Sequence, residues 1–145
     1  MNRRRRKKLS ARLVRAAMQG DPATATRLLR AGADPNHPGP DGTTPLYAAS
    51  VQDEPAVVRA LLAAGAHPDA ESAAPGAEGT PLCAAACWGH TGVVRELLAH
   101  GADPGLREDA GTGRTPLEWA LAGPYPETAE LLRAPSVPPL NPDRQ

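Results

Sequence analysis

The chain has 145 residues and a formal net charge of zero; it is 41% hydrophobic but only 3% aromatic, without Phe. That excludes a large aromatic core and favours close-packed helices rich in Ala, Leu and Val. Two cysteines make no disulfide framework, and no apolar run reaches the roughly 18 residues that crossing a bilayer requires.

Residues 1–9 come first, as a basic arm expected to be disordered. Arg3, Arg4, Arg5, Arg6, Lys7 and Lys8 supply six of the sixteen basic residues. The remaining 137 residues carry ten basic and sixteen acidic ones, a mildly acidic body. The start resembles the n-region of a signal peptide, but no apolar h-region follows. With "LSARLVRAAM" it also has the Arg-rich, acid-free look of a transit peptide, although Leu13, Ala16 and Ala17 already fit the periodic pattern of the body.

From residue 10 the chain repeats itself. "TPL" recurs at Thr44, Thr80 and Thr115, 36 and 35 residues apart. Leu-Leu pairs begin at Leu28, Leu61, Leu97 and Leu131, and "AGAD", "AGAH" and "HGAD" follow the first three at a constant offset. Four units result, at about 11–43, 44–79, 80–114 and 115–134. In each, Thr caps a helix and Pro occupies its first turn, where no amide partner is needed. Ala pairs such as Ala84–Ala85 allow close helix approach. Gly20, Gly89 and Gly123 are expected to end the first helix, and Gly32, Gly65 and Gly101 the second. Apolar residues at helical spacing mark the second helix: Val57, Val58, Leu61 and Leu62, then Val93, Val94, Leu97 and Leu98.

One such hairpin cannot bury its own apolar face, so neighbouring units must stack. The end units carry more polar residues at the Val-Val positions: Thr24–Ala25 in unit one, Glu127–Thr128 in unit four. Unit two has Asp53–Glu54 where unit three has Gly-His, predicting a looser turn or an early helix start at Pro55. Unit four reads as one residue short between its helices, predicting a distorted second helix. The loops 66–79 and 102–114 are longer than the first, and their Gly, Ala and Ser content suggests mobile fingers. They read either as tolerated surface insertions or as arms reaching a partner. Residues 135–145, "PSVPPLNPDRQ", form a Pro-rich tail expected to be unstructured.

The pattern T-P-L-x-x-A-A…G-H…V-V-x-x-L-L-x-x-G-A-D-P resembles the ankyrin repeat family over roughly residues 10–134, most closely in "GTPLCAAACWGHTGVVRELLAHGADP". The resemblance implies an all-α solenoid of stacked helix-turn-helix units with hairpin loops and a concave groove. It also implies a protein-protein interaction module, an adaptor or scaffold with no chemistry and no cofactor of its own. On this reading the partner-facing residues are Asp41, Thr43, Val51, Gln52, Cys87, Trp88 and His100. The expected partner is another protein, and the expected state is a monomer without a transmembrane segment. The compartment is expected to be cytoplasmic, or nuclear in a eukaryote.

Three chemical alternatives are weighed against this. Cys83, Cys87 and His90 read as C-x3-C-x2-H, but zinc knuckles favour C-x2-C on turns plus a second ligand pair, which is absent. His37, His67 and His100 fall in other units' loops or helix ends. A catalytic thiol needs a low pKa and an oriented base, and no acid obviously orients His90, so the bland reading is two small packing residues. Trp88 is either an interface anchor, as Trp often is, or packs on the next unit near Trp119, itself read as cap packing. The arm, finally, offers Arg3, Arg4, Arg5, Arg6, Lys7 and Lys8 to nucleic acid or an anionic membrane, against the plainer reading of a solubilising tail.

Overall fold

The computed structural model describes residues 2–73 and 79–134, the side chain of Ala110 excepted. The core of loop 66–79 and the Pro-rich tail 135–145 therefore lie outside the described residues. Nine helices are present among the described residues: α1 Arg3–Gln19, α2 Pro22–Arg30, α3 Pro45–Val51, α4 Pro55–Ala63, α5 Pro81–Cys87, α6 Thr91–Ala99, α7 Glu108–Gly111, α8 Pro116–Ala122 and α9 Pro126–Arg133. Helices α1, α3, α5 and α8 touch in series as an inner layer, and α2, α4, α6 and α9 as an outer layer.

The inner helices begin as the sequence predicts. The hydroxyls of Thr44, Thr80 and Thr115 each accept from a backbone N–H three residues on, at 3.2 Å. Each cap is worth about 1 kcal/mol, and Pro follows at once. The layers meet along a continuous apolar seam. Leu13, Leu46 and Leu82 fill it from the inner layer, and Leu28, Val57, Val58, Leu61, Val93, Val94 and Leu97 from the outer. Each fully buried Leu or Val contributes about 1.5–3 kcal/mol, which is why the stack, not the single hairpin, is the stable object.

Loop contacts hold the register between units. Asn36 donates to the carbonyl of Gly65 (3.1 Å) and accepts from the amide of His67 (2.8 Å). Asp69, at the same place one unit on, accepts from the amide of Asp103 (2.8 Å). Gly105 holds that place in the third unit and has no side chain to continue the series. The third loop is built around α7, with Glu108 N donating to Arg114 O (3.1 Å) and Thr112 Oγ1 to Asp109 O (2.8 Å). It is an ordered helical turn rather than the expected mobile finger.

Four further expectations are corrected. The arm is not disordered: Arg3–Lys8 form the first turns of α1, capped by Asn2 Oδ1, which accepts from Arg5 N at 2.8 Å. Arg and Lys are good helix formers, and packing of Leu9, Ser10 and Leu13 anchors the helix they extend. Pro55 does not start α4 early. It lies ten residues after Pro45, as Thr91 lies after Pro81, and Asp53 adopts the left-handed conformation (φ 56°) that Gly89 adopts in unit three (φ 69°). Unit four is not one residue short. Pro126 also follows Pro116 by ten, and α9 is regular. The residues replacing Val93–Val94 are thus Thr128–Ala129, each 1% exposed, whereas Glu127 is exposed. Finally, Gly123 is extended (φ −106°, ψ 173°) and matches Trp88 in position, not Gly89.

Candidate protein-binding surface

The connections between inner and outer helices are two residues long in unit one and three in the others, so the chain reverses direction at each. This gives every unit a turn end and a loop end. At the turn end the inner helices finish with Met18–Gln19, Val51–Gln52, Cys87–Trp88 and Ala122–Gly123 in register. Trp88 caps α5 and is 59% exposed; Met18 is 55% exposed; Val51 and Cys87 are half-buried; Gln52 is exposed. Trp88 therefore does not fill the next unit. Trp119 does the packing: it lies against the core, with the guanidinium of Arg114 4.7 Å from its ring centroid. Sequence reasoning passed over Leu121, 55% exposed on α8. Its counterpart Ala86 is fully buried by the unit that follows, so position in an end unit was the signal.

The turn itself is a designed close contact. The residue that caps each outer helix rests on the turn residue of the unit before it. The Glu54 side chain occupies the space a Cβ on Gly20 would need, and the Tyr125 ring does the same over Gly89. His90 lies over Asp53, with Nε2 3.0 Å from the carbonyl of Val51 and Nδ1 3.7 Å from the Asp53 carboxylate. Both Gly20 and Gly89 also need the left-handed backbone.

The remaining partner-facing candidates lie at the loop end. Asp41 accepts from both the amide and the hydroxyl of Thr43, each at 3.0 Å. The Thr43 amide, and then its hydroxyl, hold the Asp41 carboxyl below the usual range. His100 caps α6 in the outer layer, its Nδ1 2.9 Å from the carbonyl of Glu96. The structure thus brings Val51, Gln52, Cys87 and Trp88 together and leaves Asp41, Thr43 and His100 at the other end of the hairpins.

The cysteine–histidine segment does not converge on a centre. Cys83 is 1% exposed and its Sγ donates to the carbonyl of Arg114 at 3.6 Å. Burial pushes its thiol up from the ordinary value, and it does the same for half-buried Cys87, with the Glu108 charge acting in the same direction at both. Raised thiols are poor nucleophiles at neutral pH. His90 is engaged with unit two instead. Among the described residues no group of three or more His, Cys, Asp or Glu side chains is arranged to hold a metal ion, and no helix is long and apolar enough to cross a membrane.

A family model described as ankyrin repeats in three copies matches residues 13–108 and 71–140. No individual curated protein matches the chain. Ankyrin repeats are in general protein-protein interaction modules and typically non-enzymatic. The stacked helical hairpins, the capped Thr-Pro starts and this match lead to one conclusion: the chain belongs to the ankyrin repeat family.

Proposed function

We propose that the protein is a non-enzymatic adaptor or scaffold that docks a partner protein across the turn ends of its inner helices. The observation that carries this is Trp88, a large stiff ring left 59% exposed at a helix end. Cys87 precedes it on α5, and Val51–Gln52 on α3 and then Met18 on α1 follow in register along the turn ends, an apolar strip with a polar margin. Aromatic anchors in such surroundings dominate many interfaces, and a preformed stack loses little freedom on binding. The loop-end residues Asp41, Thr43 and His100 form a second, more polar contact zone on this reading. Free thiols at Cys83 and Cys87 suit a reducing compartment such as the cytoplasm, and action as a monomer is part of the same reading.

Trp88→Ala is the direct test. In affinity purification from native cells, recovery of the principal bound protein should fall at least tenfold, since a hot-spot truncation costs about 2 kcal/mol or more. Thermal stability of the variant should change little. Undiminished recovery with an intact fold would refute this placement of the site.

A further inference from the structure

Charge is sharply divided along this chain. Helix α1 holds eight basic residues and no acidic one, while residues 20–145 hold eight basic and sixteen acidic. The consecutive basic residues Arg3–Lys8 surround the first turns of α1, but along the rest of the helix the positive charge continues on one side only. Arg4, Lys8, Arg12 and Arg15 follow spacings of four, four and three, which keeps them on one helix face. All four are exposed, and their face lies opposite Leu9, Leu13, Ala16 and Ala17, which are buried. At 1.5 Å per residue the line is about 16 Å long. None of these four forms an ion pair among the described residues. Arg3, Arg6 and Lys7 differ: they line a cleft shared with Asp34 and His37 of the first loop.

We propose that the Arg4–Lys8–Arg12–Arg15 face of α1 binds the phosphate backbone of double-stranded nucleic acid, independently of base sequence. Charge complementarity and geometry support a duplex over other polyanions. One strand of B-form DNA carries a phosphate about every 3.4 Å along the axis, so a rigid 16 Å line of cations spans about five. A membrane-surface helix needs a free apolar face, and that of α1 is buried in the stack. Single strands are held by stacking on aromatic rings, and α1 has none. A protein interface needs an apolar centre, and only Met18, beyond the last turn of the line, is exposed and apolar on this helix. The acidic body repels a duplex, so α1 alone makes the contact and sets its salt dependence.

The test is fluorescence anisotropy of the full chain with a mixed-sequence duplex of about 20 base pairs, from about 50 to 200 mM salt. A plot of log affinity against log salt should have a slope near −4, about −0.9 for each phosphate neutralised. Arg12→Gln/Arg15→Gln should make that slope shallower by about two. This result distinguishes a helical face from a loose arm of residues 3–8, which would leave the slope unchanged. Arg4→Gln/Lys8→Gln/Arg12→Gln/Arg15→Gln should weaken binding at least tenfold more than the double variant does, while Arg95→Gln, in the third unit, should leave it unchanged. Circular dichroism confirms that each variant is folded, as Gln is a good helix former. No duplex binding at 50 mM salt overturns the proposal. So does an unchanged slope in the double variant, or tighter binding to single strands or to phosphatidylserine-containing vesicles.

Discussion

Units three and four share one backbone plan but not one interior. In unit three, α6 places Val93, Val94 and Leu97 against neighbours on both sides, and all are fully buried. In unit four, α9 places Thr128, Ala129 and Leu132 at the same positions, and among the described residues it packs on α6 and α8 with no outer helix following it. Leu82 of α5 is 1% exposed, whereas its counterpart Leu117 on α8 is half-buried. Thr128 keeps its hydroxyl satisfied by Thr91 Oγ1 at 3.0 Å across the interface. The difference teaches that the local signals, Thr-Pro caps and turn lengths, specify the shape of a unit. Its place in the stack decides how much each apolar side chain stabilises.

The largest expected effect tests that division directly. Leu82→Ala should lose about 2–5 kcal/mol of unfolding free energy, the range for a fully buried Leu. Leu117→Ala should lose clearly less in the same urea titration. Equal losses would show that an end position carries as much packing as an inner one. A middle-sized effect belongs to the turn between the two units. Gly89→Ala meets both the left-handed backbone (φ 69°) and the Tyr125 ring of unit four. Gly65→Ala meets only the backbone (φ 97°), with open space beyond. The second should cost about 1 kcal/mol, the first more, and Tyr125→Ala should recover part of the difference. Without that recovery the ring would not be the obstacle.

The smallest effect is electrostatic. Arg59 reaches from unit two to Glu96 of unit three at 2.6 Å, while Arg95 reaches Glu127 of unit four at 3.2 Å. The Glu96 side chain is 19% exposed and that of Glu127 71%. The hydrogen bond from Arg59 holds the Glu96 carboxyl below its ordinary 4.5. The folded state therefore favours the carboxylate. Its stabilisation is present above pH 4.5 and is lost as pH falls through the depressed folded value. Arg59→Gln should flatten this acid limb of the stability–pH curve only slightly, as solvent screens an exposed guanidinium. Arg95→Gln should alter it less still.

Most of the fold was legible because its signals are local. Thr44, Thr80 and Thr115 announce helix starts, and the Val and Leu spacing announces the outer layer. Two differences have separate causes. The Leu-Leu pair of unit four was aligned with Leu97–Leu98, but the Pro-initiated start of α9 sets the register, and Leu132 becomes the buried partner of Leu97. Charge alone predicts a disordered arm, whereas packing of Leu9 and Leu13 carries the helix back through residues 3–8. At the candidate surface, register left Trp88 open between exposure and packing on the next unit, and the fold leaves it exposed. Register could not show that Asp41, Thr43 and His100 sit at the other end of the hairpins, because that depends on chain reversal at each turn.

The contact between each outer-helix cap and the turn before it has a consequence for shuffling units. Gly20 is matched to Glu54, Asp53 to His90 and Gly89 to Tyr125. Each pair straddles the boundary that the Thr-Pro repeat suggests. A module cut at Thr-Pro and grafted elsewhere would bring its cap to a foreign turn. The true joint runs diagonally through the stack, so exchangeable segments of this protein carry their neighbour's turn with them.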